Sequence, residues 1–251
     1  MELVWMTALG VGGATVLGSL LGFLFHHIPH KWNDAILGFA AGVMLAASFV
    51  GLILPSIQEG GRQGALICTA GLVCGACFLN AADRLTPHLH HITGVETESH
   101  AHNEALDKIM LFVLAIAIHN LPEGMAAGVG AGSGDWGNSV TVTAGIMLQN
   151  IPEGMIIISP MVLGGVRKGR AFLIGAFTGM IEVAGVLIGY FAVSVSAALL
   201  PFAMAFAGGT MLYIISDEMI PETHSHGFER MATYSLIAGV IVMLLMDFYI
   251  N

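Results

Sequence analysis

The stretch His119-Asn120-Leu121-Pro122-Glu123-Gly124 and its near copy Gln149-Asn150-Ile151-Pro152-Glu153-Gly154 decide how this chain must be read. Each places a carboxylic acid in the middle of an otherwise apolar run. An ionised group at the centre of a bilayer costs roughly 2.5–3.5 kcal/mol on insertion scales, so each acid demands compensation. His119 and Glu123 stand four apart and therefore share one helix face, as do Gln149 and Glu153. Each proline removes a backbone donor and crowds the carbonyl four residues back, which predicts a kinked or broken helix there. A carbonyl freed at that depth must bond to a neighbour, to water or to an ion. A third acid, Glu182, lies in the next apolar run among Gly175, Gly179, Gly185 and Gly189. With no Lys or Arg in these runs, a bound cation or a proton is the compensation that remains.

The composition places these runs in a membrane. Of 251 residues, 56% are hydrophobic and only 10% charged, with a mean hydropathy of +0.82. A soluble domain carries about a quarter charged residues, so a cytosolic enzyme is excluded. Eight Lys and Arg against seventeen Asp and Glu also exclude a nucleic-acid binder, which needs a basic face. The acidic Glu2 and the length of the first apolar run argue against a cleaved signal peptide. Cys68, Cys74 and Cys77 share one apolar stretch and say nothing of redox compartment; Cys74 and Cys77 are expected to be buried thiols.

A membrane helix needs roughly 20 apolar residues. Eight spans are expected, at about 3–25, 35–57, 64–82, 109–131, 139–163, 171–193, 196–216 and 231–250. The sixth and seventh are separated on the strength of Ser194, Ser196 and Pro201. Lys31, Arg84, Lys108, Arg167, Lys168, Arg170 and Arg230 fall in connections on one side, and Arg62 alone on the other. The positive-inside rule then puts both termini outside the cytoplasm, and the compact chain suggests the inner membrane of a prokaryotic cell. The longest connection, 84–107, is expected to be a cytoplasmic loop carrying His88, His90, His91, His100 and His102, a composition that favours metals. Asp34 and Glu59, flanking the second span, are expected to be wet.

Two helices side by side would converge one His, two Glu, two Asn and one Gln on a small volume. Imidazole with carboxylate suits zinc, and equally ferrous iron, manganese, cobalt or cadmium. His119, Glu123, Gln149 and Glu153 are read as one metal site. Asn120, Asn150 and Glu182, with the same two glutamates, are read as a second. The bland alternative is interhelical hydrogen bonding among amides, which leaves three acids, two of them in a duplicated motif, unexplained. Two rival functions are an intramembrane metal-dependent enzyme and a metal sensor. Against the enzyme stands the absence of an HExxH pair or a GxSxG elbow.

These motifs, with a Glu on the following span, resemble those of the ZIP family of divalent-metal transporters, in particular its compact prokaryotic-type members. The resemblance covers the whole chain. It implies an all-α polytopic fold of eight helices, in which spans one to three and six to eight form an inverted repeat around two central kinked helices. It also implies uptake toward the cytoplasm through a binuclear site by an elevator-like movement, with zinc as cargo rather than cofactor. Carried onto this chain, the ligands are His119, Asn120, Glu123, Gln149, Asn150, Glu153 and Glu182. The segment Ser216-Asp217-Glu218-Met219-Ile220-Pro221-Glu222-Thr223-His224 resembles the family's exit, making Asp217, Glu218 and His224, with His226 behind them, candidates for a release path. Beyond the metal ion and the bilayer, a homodimer is the partner that the small-residue faces would permit.

Overall fold

Apolar runs with no water to bond their backbones fold as helices, and no strand occurs among the described residues. The structure, a computed structural model, describes residues 2–24, 29–92 and 104–251. Eight long helical stretches follow in order: α1 (Glu2–Leu24), α2 (His30–Glu59), α3 (Gly64–Ile92), α4 (Glu104–Gly132), α5 (Trp136–Leu163), α6 (Lys168–Val195), α7 (Ala197–Thr223) and α8 (Glu229–Ile250). By length and composition, seven of them are fit to cross a bilayer. Between α6 and α7 the chain leaves the helical region at Ser196, with φ −154° and ψ 115°.

Helix pairing is dominated by four seams. α1 packs on α5 and α4 on α6; α2 packs on α8 and α3 on α7. Exchanging α1–α3 with α6–α8 and α4 with α5 maps each seam onto another, as an inverted repeat requires. Two π-helical turns obey the same exchange: Ser48–Ile53 in α2, followed by Leu54-Pro55, and Ile215–Met219 in α7, followed by Ile220-Pro221. They lie toward opposite ends of the bundle. Further contacts between α1 and α6 join the first two seams into one four-helix group, and α2 meets α7 to join the others.

Glycine makes the seams. Helices in lipid gain nothing from hiding apolar surface from one another and associate through close backbone packing. A Cβ at Gly42 would overlap the Leu236 carbonyl oxygen of α8, one at Gly75 that of Phe206 on α7, one at Gly18 that of Ile151 on α5 and one at Gly185 that of Leu121 on α4. Apolar side chains point outward instead, and Trp5 and Trp136 at one end with Trp32 at the other are exposed, in the manner of interfacial belts.

α4 and α5 run through Pro122 and Pro152 without a break, since one missing backbone bond does not end a helix that neighbours hold on several sides. Two expectations need correction. The loop expected over 84–107 is shorter, because α3 continues to Ile92 and α4 begins at Glu104. A change to polar residues marks the edge of the bilayer, not the end of a helix, and His88, His90 and His91 are helical. His100 and His102 lie outside the described residues. Cys74 and Cys77 are exposed on α3 while Cys68 is buried, since in a membrane an apolar side chain is as well placed against lipid as in the core.

Candidate metal site

All seven residues expected as ligands come together where α4, α5 and α6 meet α1. His119, Asn120 and Glu123 come from α4, Gln149, Asn150 and Glu153 from α5 and Glu182 from α6. Asn120, Glu123, Gln149, Asn150 and Glu182 are at most 1% exposed, and His119 is 6% exposed. The carboxyl of Glu123 faces those of Glu153 and Glu182, and Glu153 faces His119.

Glu182 is a hydrogen-bond hub. Its Oε1 accepts from Asn120 Nδ2 at 2.6 Å and from Thr15 Oγ1 at 2.6 Å. Its Oε2 accepts from Asn150 Nδ2 at 2.7 Å, and the same amide lies 3.4 Å from the Val11 carbonyl oxygen. Both asparagines are thereby turned so that Nδ2 faces the carboxyl and Oδ1 faces away from it.

What remains is a set of buried polar atoms without partners, four acceptor oxygens and one amide donor, Gln149 Nε2. Asn120 Oδ1, Asn150 Oδ1, Gln149 Oε1 and Glu123 Oε2 are buried and have no hydrogen-bond partner. The Gln149 amide faces the Glu123 carboxyl without reaching hydrogen-bonding geometry. A buried polar atom left unpaired costs roughly 1–3 kcal/mol, and four oxygens, two from one turn of α4 and two from one turn of α5, are a set that a cation could use. Among the described residues, no three His, Cys, Asp or Glu side chains converge closely enough to chelate one ion.

A cavity of about 1040 Å³ reaches this cluster from one end of the bundle. His119, Glu123 and Glu153 form its floor; Gln149, Asn150, Asn120 and Glu182 lie beyond it. Its mouth is bordered by His30, Glu222 and His226, at the end that carries Lys31, Arg167, Lys168, Arg170 and Arg230. On the other side of the cluster the packing is dry, with Val11, Met44, Leu52, Val142 and Ile146 buried in one apolar core.

The candidate release residues divide. Asp217 and Glu218 line the cavity on the π-turn of α7, and Glu218 Oε1 lies 2.8 Å from His119 Nε2. His224 does not line it: Nδ1 lies 2.9 Å from the Ile220 carbonyl oxygen and Nε2 3.3 Å from Thr233 Oγ1. His226 lines it instead, with Nδ1 2.9 Å from Asp34 Oδ1 and its ring stacked on His30 at 4.4 Å. Asp34, expected to be wet, is wholly buried and its Oδ2 has no partner. Its place near a span end suggested solvent, but the turn after α7 folds over it. Sequence reasoning also missed Thr15, whose hydroxyl looks like any other in an apolar helix.

Comparison with known proteins bears on this geometry. The model of a family described as ZIP Zinc transporter matches residues 106–247. The chain is 37% identical to the zinc transporter GufA of Myxococcus xanthus, over 96% of each. It is 38% identical to the zinc transporter ZIPB of Bordetella bronchiseptica, over 93% of this chain and 77% of that protein. To the human zinc transporter ZIP11 it is 30% identical, over 94% of this chain and 93% of that one.

Proposed function

Because the chain belongs to the ZIP zinc transporter family, we propose that it carries zinc toward the cytoplasm through the α4–α5 cluster, holding up to two ions. As a member of that family it is an integral membrane transporter of divalent metal ions and not an enzyme. The observation that carries the assignment to this cluster is the set of four buried, unpartnered oxygens beside Glu153 and His119. Four acceptor oxygens gathered beside a carboxylate and an imidazole are the donor atoms that a cation needs.

In this reading His119, Glu123, Gln149 and Glu153 hold one ion, and Asn120 and Asn150 with the shared glutamates and Glu182 hold the other. Imidazole and carboxylate admit iron, manganese, cobalt and cadmium as well as zinc. Carboxylates supply the charge that replaces the lost hydration shell, and neutral amides keep the second half weak enough to let go. The cavity opens at the end rich in Lys and Arg, which the positive-inside rule places in the cytoplasm. The conformation described is then the one facing inward. The apolar core on the other side of the cluster closes the outside. Glu218, in contact with His119, is the next ligand along the way out, followed by Asp217 and His226.

Alternating access has a natural division here. The ligands all lie on the group built from α1, α4, α5 and α6, while Asp217, Glu218 and Asp34 lie on the group of α2, α3, α7 and α8. Movement of the first group against the second, as in an elevator, would carry the ions across without dismantling a glycine seam.

The test is zinc influx into liposomes holding purified protein and a zinc-sensitive dye. Wild type should give saturable influx, and Glu123→Ala should fall to the protein-free background while inserting normally. Full influx by that variant would falsify the assignment of the site.

A further inference from the structure

We infer that Thr15 of α1 is a positioning residue for the ion site, setting Glu182 and through it the amide oxygens of Asn120 and Asn150. This rests on the reading of the cluster as an ion site and adds a member on a helix that contributes no ligand.

The geometry is specific. Hydroxyls on membrane helices ordinarily turn back onto a carbonyl of their own helix. Thr178 does so toward Gly175, Thr210 toward Ala207 and Thr69 toward Ala65, at 2.7–2.8 Å. Thr15 does not. It reaches across to α6 and donates to Glu182 Oε1 at 2.6 Å, while being 1% exposed. Glu182 consequently meets donors from three helices, and this fixes its carboxyl plane. That plane fixes both asparagines, since their Nδ2 groups donate to its two oxygens and leave each Oδ1 without a partner.

The backbone is arranged for this reach. Gly12 and Gly179 stand one turn before Thr15 and Glu182 where α1 meets α6. A Cβ at Gly12 would lie 2.6 Å from the Gly179 carbonyl oxygen, and one at Gly179 would lie 2.7 Å from that of Gly12. Only with both side chains absent do α1 and α6 approach closely enough for the hydroxyl to meet the carboxyl. Without the hydroxyl, the Glu182 carboxyl loses its link to α1 and can rotate with the two amides attached. The affinity for the ion falls while the machinery that moves it is intact.

Thr15→Val removes the hydroxyl at nearly constant volume, and Thr15→Ser keeps it. In zinc-influx measurements on liposomes, Thr15→Val should raise KM about tenfold, as expected for one lost hydrogen bond at a charged or polar site. Its maximal rate should stay within about twofold of wild type, and Thr15→Ser should restore most of the affinity. If Thr15→Val does not insert, Thr15→Ala replaces it, with the same expectation. An unchanged KM overturns the inference. So does a Thr15→Ser variant no better than Thr15→Val, because the role is then packing. Glu123→Ala, measured beside them, separates the two levels: influx surviving that substitution overturns the ion site itself.

Discussion

Replacing Gly179 by alanine should loosen the ion site without touching a ligand, and the size of the effect follows from two distances. The added Cβ would sit 2.7 Å from the Gly12 carbonyl oxygen, whereas a carbon rests against such an oxygen at about 3.3–3.6 Å. The opposing atom is backbone, so no rotamer relieves the clash, and α1 and α6 must part by roughly 0.6–0.9 Å. The Thr15–Glu182 hydrogen bond, 2.6 Å long and one turn away, would stretch to about 3.2–3.5 Å, beyond the useful range for a hydroxyl donor. Overpacking of this kind costs about 1–3 kcal/mol. Gly13→Ala is the control: it lies on α1, the helix that faces Gly179, but with nothing within 4 Å of the new methyl. Helix propensity favours alanine in both variants, so their difference isolates the clash. At roughly 2–4 °C per kcal/mol for a chain of this size, Gly179→Ala should melt about 2–12 °C below Gly13→Ala. Thermal unfolding in detergent reads that difference, and influx into liposomes should show KM rising for Gly179→Ala alone. Equal melting of the two variants, or an unchanged KM, would refute the reasoning.

Zinc binding should expel protons, because imidazole and carboxylate hold a cation only when deprotonated. Apparent affinity should therefore strengthen as the pH rises, and calorimetry should give a binding heat that changes with the ionisation enthalpy of the buffer; a buffer-independent heat contradicts it. His226→Ala should lower the maximal influx rate severalfold, because its ring lines the way out. His224→Ala should leave the rate within about twofold of wild type, because its ring is bonded to its own helix end. Equal losses would sink the assignment of the exit to His226.

Much of this was legible because charge inside an apolar run is a loud signal. Glu123, Glu153 and Glu182 could be picked out since nothing in their own helices pays for them, and the paired Pro-Glu-Gly motifs tied two of them together. What escaped depended on partners far along the chain. Asp34 near a span end reads as solvated until His226 and the turn after α7 are seen to cover it. Thr15 is one small hydroxyl among many, and only its distance to Glu182 distinguishes it. The π-turns leave no pattern in hydropathy, because one extra residue per turn shifts the helix face without changing its composition. His226 was overshadowed by His224 for the same reason: a rotation in the last turn decides which ring meets the cavity.

The glycine seams also bear on how the molecule is made. α2 enters the bilayer early in synthesis, yet the helix that fills its Gly38–Gly42 groove is α8, which emerges long afterwards. Until then that groove is an open slot on the lipid-facing side of an unfinished bundle, and α3 waits likewise for α7. A chain arrested before Glu229 would display the slot permanently, as a handle for membrane quality control or for the α8 of a second copy. The seams that make the finished transporter tight thus make the nascent one sticky, and assembly is a race between the arrival of α8 and capture by a stranger.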